Sequence, residues 1–113
     1  MNWTELKNEA QIDQLNEESK TQSVLIFKHS TSCSISRAAL GRLERNWKAD
    51  EVGSLKTYYL DLLSHRAISN RIAARFGVEH ESPQVLIIQN GKPIYTRSHF
   101  DIAFEGVREA IAS

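Results

Sequence analysis

With 113 residues, 41% of them hydrophobic and 25% charged, the chain can build one compact domain with its own core, and its composition is not that of a disordered segment. Fourteen basic side chains balance fourteen acidic ones, so no net field draws the protein to nucleic acid or to an anionic membrane. A single cysteine, Cys33, excludes an internal disulfide, a two-cysteine redox switch within the chain and a thiolate-rich zinc site.

The opening, Trp3 to Leu6, is too short to assign. Asn8 is placed to cap a helix, with Gln11 completing a capping box and Ile12 and Leu15 giving a thin apolar stripe. Met1 to Gln11 is polar and lacks the basic-then-apolar layout of a secretion signal, so the expected address is the cytosol. Ser23 to Lys28 holds Val24, Leu25, Ile26 and Phe27, a short unbroken run typical of a strand buried on both faces. No apolar run approaches the roughly 20 residues of a membrane span. From Ser34 to Lys48 the spacing turns helical, because Ile35, Ala39, Leu43 and Trp47 recur every four residues with Leu40 beside them.

Asp50 to Ser54, with Gly53, interrupts that pattern, and Lys56 to Leu62 predicts a strand rich in Tyr58, Tyr59 and Leu60. Ser64 is placed to cap the next helix, whose stripe is Ile68, Ile72 and Phe76. Gly77 fits its left-handed stop, and Val78 folds back onto it. Gln84 to Gln89 is a strand, Asn90-Gly91 a type I′ turn, and Pro93 to Ser98 the return strand. Asp101 is placed to cap a last helix, with Phe104, Val107 and Ile111 facing inward. The order (β)α-βα-βα-ββ-α predicts one α/β domain over residues 1–113. Its central mixed sheet has four to five strands, parallel across the βαβ units and ending in an antiparallel hairpin, with helices on both faces.

Cys33 falls just after a buried strand and just before a helix. The first amides of a helix lack partners and concentrate partial positive charge, so a thiolate placed there is stabilised. Such a sulfur is both more ionised and a better leaving group. Ser30, Thr31 and Ser32 suit a strand-to-helix turn, while Lys28, His29 and Arg37 are candidates for added positive charge near the cleft. Ser36 follows Cys33 by one helical turn. It stands where a second thiol could be, and its hydroxyl can serve either the sulfur or its own helix backbone. Pro83 opens a strand, where its missing amide is tolerated. His29, His65, His80 and His99 show no metal-ligand spacing, no metal site is expected, and Trp3 and Trp47 read as packing residues.

The element order, the Cys33-Ser34-Ile35-Ser36 pattern and the proline-led strand together resemble the thioredoxin fold. Ala74-Arg75-Phe76-Gly77-Val78, Ser82-Pro83-Gln84-Val85-Leu86-Ile87-Ile88 and Asn90-Gly91-Lys92 look like the second half of a thioredoxin, and the likeness covers nearly the whole chain. Lys28-His29-Ser30-Thr31 before Cys33, with His80-Glu81-Ser82-Pro83-Gln84, is similar more particularly to the YtxJ family of monothiol bacilliredoxins. The resemblance implies a cis Ser82–Pro83 bond packed against Cys33, although trans is the default for such bonds. It also implies a thiol–disulfide exchange enzyme with no tightly bound cofactor. Its co-substrate would be bacillithiol or a similar small thiol, and its partners S-thiolated cytosolic proteins. In that reading Cys33 and Ser36 are catalytic, while Lys28, His29, Ser34, Arg37, Ser82 and Pro83 bind the substrate thiol; the expected form is a monomer or a weak dimer, with neither nucleic acid nor membrane as partner.

Departures are visible too. Thioredoxins carry a second cysteine in place of Ser36 and a Trp-Cys-Gly-Pro core that is absent here. The bacilliredoxins tend to place Pro where this chain has Ser34, whose amide offers the sulfur an extra donor, and the Gly77 to Pro83 loop is longer by a residue than the usual thioredoxin version. Two alternatives stay open: a glutaredoxin-like [2Fe–2S] protein using Cys33 and a bound thiol, and a non-enzymatic stress-response module of the same fold.

Overall fold

Every residue of strand β2 (Val24–His29) is buried, and the pleat sends successive side chains to opposite faces. Val24 and Ile26 join one apolar cluster, and Leu25 and Phe27 the other. Four further strands complete a five-stranded sheet around it, described with the rest of the molecule over residues 1–112 in a computed structural model. They are β1 (Thr4–Glu5), β3 (Lys56–Asp61), β4 (Gln84–Gln89) and β5 (Lys92–Ser98), in the spatial order β1-β3-β2-β4-β5. The helices are α1 (Ala10–Glu18), α2 (Ser34–Asn46), α3 (Arg66–Phe76) and α4 (Phe104–Ala112), with short 3-10 turns at Ala49–Glu51 and His99–Asp101.

Helices α1 and α3 cover one face with Ile12, Leu15, Ile68, Ile72 and Phe76, closing over Ile26, Tyr58, Leu60 and Leu86. Helices α2 and α4 cover the other with Ala39, Leu43, Phe104 and Val107, closing over Leu25, Phe27, Val85 and Ile87. Among the described residues, no helix is long and apolar enough to cross a membrane.

Several local signals act as expected. Asn8 and Gln11 exchange backbone-to-side-chain hydrogen bonds of 3.2 Å in both directions, a capping box at the head of α1. Gly77 ends α3 at φ 66°, and the Val78 amide bonds the Ala73 carbonyl while its side chain packs on the core. Asn90 and Gly91, at φ 52° and 73°, form the β4–β5 turn.

Other expectations are corrected. β4 does not run parallel to its neighbour. β2 pairs parallel with β3, but β4 lies antiparallel beside β2, with Gln84 opposite Lys28. The chain leaves β3 and enters β4 at the same end of the sheet, so α3 and its flanking loops depart from and return to that end. Ser64 does not cap α3, since its hydroxyl donates to Asp61 Oδ2 and His65 takes the cap position. Asp101 lies in the 3-10 turn, and α4 begins only at Phe104. Ile35 is 41% exposed, because the buried face of α2 carries Ser36, Ala39 and Leu43 instead.

Candidate active site

β2 and β3 finish, and β4 begins, at one end of the sheet. The chain beyond β2 turns there through Ser30–Ser32 into α2, with the Cys33 amide donating to the Ser30 carbonyl at 3.1 Å. Cys33 is the N-cap of α2, extended at φ −99° and ψ 123°, and its carbonyl accepts the Arg37 amide at 3.0 Å. The thiol is free and partly exposed. An N-cap side chain lies over the second and third amides of its helix, here those of Ile35 and Ser36, where anionic sulfur gains from the helix dipole. No side-chain hydrogen bond to them is formed.

Ser82–Pro83 is a cis peptide at that same end, ahead of Gln84, where pairing with β2 and β5 begins. Pro83 shares the parity of Val85 and Ile87, which face α2, and its carbonyl accepts the His99 amide at 3.1 Å. Ser82 Oγ is buried without a hydrogen-bond partner among the described residues. Ser34 occupies the first position of α2 and is exposed. Arg37 is exposed at the rim, and its guanidinium donates to the Thr31 carbonyl at 2.9 Å, strapping the turn that carries the thiol.

Lys28 and His29 differ from the sequence expectation. β2 runs on through His29, so both remain in the ladder, at 0% and 4% exposure, and neither presents a charge to solvent. A surface contact to a substrate carboxylate is therefore not what these positions offer. They also part company: by parity Lys28 falls with Val24 and Ile26 on the α1/α3 face, away from α2, and only His29 lies on the α2 face. Among the described residues Lys28 Nζ has no hydrogen-bond partner, and burial pushes its pKa from 10.5 down to about 8. His80 lies within its field. Burial first, then the Lys28 and Arg66 charges, hold the His80 ring below the usual histidine value, while its Nδ1 meets Ser69 Oγ at 3.0 Å.

His29 Nδ1 meets Ser36 Oγ at 2.6 Å, and its ring lies 5.6 Å from that of Tyr59 and 6.0 Å from that of Phe27. Burial is the main force lowering its pKa; Asp61 and Glu44 oppose it, and Arg37 adds to it. Ser36 is fully buried, and besides His29 its hydroxyl accepts the Ser30 amide at 3.1 Å. Phe100 was not singled out from sequence. It is 77% exposed in the 3-10 turn that packs against α2, next to the His99 that bonds Pro83. Its only sequence signal was an aromatic in a polar stretch that belongs to no periodic pattern. Among the described residues, no three His, Cys, Asp or Glu side chains gather as a metal site requires.

A family model described as monothiol bacilliredoxin BrxC matches residues 4–107. A solved structure described as a candidate oxidoreductase with a thioredoxin fold is 32% identical, with 94% of this chain and 90% of that chain covered and a TM-score of 0.76. The thioredoxin of Malassezia sympodialis superposes with a TM-score of 0.75 at 16% identity, covering 98% of this chain and 89% of its own. That of Fasciola hepatica gives 0.69 at 20% identity, with 96% and 95% covered; at such identities the likeness speaks for the fold. Fold and family together carry thiol–disulfide redox function, and the chain belongs to the monothiol bacilliredoxin family.

Proposed function

We propose that the protein removes bacillithiol, or a closely similar small thiol, from mixed disulfides on cytosolic proteins by exchange at Cys33. The observation that carries this reading is a lone, partly exposed thiol at the N-cap of α2, at the sheet end where β4 begins. The Cys33 thiolate attacks the small-thiol sulfur of the mixed disulfide. That S–S bond breaks, the protein cysteine leaves as a thiolate and takes a proton from water, and Cys33 is left joined to the small thiol. A second small-thiol thiolate attacks the small-thiol sulfur, Cys33 leaves as thiolate, and the symmetrical small disulfide departs. One cysteine suffices because the resolving sulfur is external.

Ser82 stands just ahead of the β4 ladder, so its backbone is available to bind an extended thiol moiety as an added strand would. The Ser34 amide adds a donor near the sulfur, Arg37 provides positive charge at the rim, and exposed Ile35 and Phe100 give a protein substrate apolar surface to rest on.

Reduced protein exposed separately to bacillithiol disulfide and glutathione disulfide, with intact mass followed over time, tests the assignment. Cys33 is expected to gain bacillithiol much faster than glutathione, a bacillithiolated protein to be restored on adding free bacillithiol, and Cys33→Ser to be silent in both. Equal, sluggish labelling by the two disulfides would remove the bacillithiol assignment.

A further inference from the structure

Gln84 opens β4 and is fixed on both sides, opposite Lys28 in β2 and Ser98 in β5. Its side chain is buried and turns back along the chain. Nε2 donates to the Glu79 carbonyl at 3.0 Å, and Oε1 accepts the Glu81 amide at 3.4 Å. A backbone carbonyl can only accept and a backbone N–H can only donate, so these partners fix which way the side-chain amide faces. One side chain thus ties the chain on both sides of His80 to the first residue of the strand.

The rest of the loop is held from elsewhere. His80 Nδ1 meets Ser69 Oγ of α3 at 3.0 Å, the Glu81 carboxylate accepts the Ser98 hydroxyl, and the Pro83 carbonyl accepts the His99 amide at 3.1 Å. Ser82 is the exception. Among the described residues its hydroxyl has no partner, and its backbone enters no turn or loop hydrogen bond. A residue left unpartnered between neighbours that are each tied down is a preorganised binding edge, because its backbone is ordered before a ligand arrives.

We propose that Gln84 is a positioning residue for small-thiol binding: by gripping the chain at Glu79 and Glu81 it sets the place of Ser82, whose backbone receives the thiol moiety. It takes no part in activating Cys33, because the turn that carries the sulfur has its own supports in the Ser30 carbonyl and the Arg37 guanidinium. The role therefore belongs to binding and not to the chemistry of the sulfur. This inference rests on the exchange reading of Cys33. Wild type that exchanges no bacillithiol defeats that reading, whereas a Gln84 variant equal to wild type defeats the inference.

The test compares wild type with Gln84→Met, which keeps the length of the side chain without either hydrogen-bonding group, and with Gln84→Glu, which keeps only the acceptor. Ser19→Ala, whose hydroxyl serves the β4–β5 turn at the opposite end of the sheet, is the stability control. Turnover of a bacillithiolated peptide in excess free bacillithiol gives KM and kcat, and iodoacetamide alkylation reports the sulfur alone. In Gln84→Met, KM is expected to rise about fivefold, the size of one ordinary hydrogen bond, with kcat and the alkylation rate within about twofold of wild type. Gln84→Glu falls between the two, and Ser19→Ala leaves KM unchanged. Without any thiol present, amide exchange in Gln84→Met is expected to accelerate at Glu81 while Val85 to Ile88 keep their protection. An unchanged KM, a loss of alkylation in step with the loss of exchange, or an equal KM rise in Ser19→Ala overturns the proposal. Should Gln84→Met fail to fold, Gln84→Glu decides alone: its KM must rise while alkylation holds, and any other result overturns it.

Discussion

Lys28, inside β2, has no exposed surface and, among the described residues, no hydrogen-bond partner for its ammonium group, and its pKa is drawn down to about 8 by burial. At pH 7 folding must therefore carry a charge into the protein without a counter-ion, which is unfavourable in proportion to the shift. Lys28→Met fills the same space with a flexible apolar chain and is expected to stabilise the protein at pH 7 by on the order of 2 kcal/mol, read from urea midpoints. A lower midpoint would mean that the amine has a stabilising role in the fold. Gly106 carries the opposite constraint. A Cβ there would run into the Tyr95 hydroxyl and ring, because α4 lies directly on β5 at this point. Gly106→Ala is expected to cost about 1–3 kcal/mol by forcing Tyr95 or α4 aside, despite alanine's better helix propensity. Unfolding in urea measures that loss.

Among the elements, the β4–β5 hairpin is held by more than its own turn. Ser19, buried at the end of α1, accepts the Asn90 amide on its carbonyl at 2.7 Å and the Gly91 amide on Oγ at 2.9 Å, while donating to the Asn16 carbonyl at 2.6 Å. Ser19→Ala leaves the Gly91 amide without its acceptor and is expected to cost about 1–2 kcal/mol. Amide exchange should accelerate most at Asn90 and Gly91, and uniform acceleration along the chain would show that the turn is not the point of attachment. The turn itself was legible, as were the Gly77 stop, the capping box and β4 from Gln84 to Gln89, because each is written in contiguous residues. What escaped depends on partners distant in sequence. The direction of β4 depends on where α3 returns the chain, and Ser64 has Asp61 as a competing acceptor. In the site, Cys33 at a helix N-terminus was readable from its flanks. The burial of His29 was not, because β2 continues one residue past the expected end at Lys28 and keeps it in the ladder, where parity sends it and Lys28 to opposite faces.

For the molecule as a whole, burial of titratable groups on both faces of the sheet sets how stability follows pH. His29 on the α2 face and His80 beside α3 titrate below their usual 6.5, with burial the leading cause for each. The unfolded chain binds protons first as pH falls through 6.5, so stability declines from there toward acid. Lys28 acts in another window: between about 8 and its ordinary 10.5 the unfolded lysine is still charged while the native amine is neutral, so stability rises with pH. Tyr58, Tyr59 and Tyr95 are all raised above 10.0, chiefly by burial, so the native state holds protons that the unfolded chain has released, and stability falls again above that value. From these groups, stability rises with pH through the Lys28 window and falls again through the tyrosine window. Urea midpoints measured from about pH 5 to about pH 11 in wild type and Lys28→Met separate the contributions. The wild-type rise between pH 8 and 10 is expected to vanish in the variant, while the acid decline and the fall above pH 10 remain in both. A wild-type profile that is flat from pH 8 to 10, with Lys28→Met parallel to it, would mean that the Lys28 amine keeps its proton inside the fold, and that burial alone does not govern its charge.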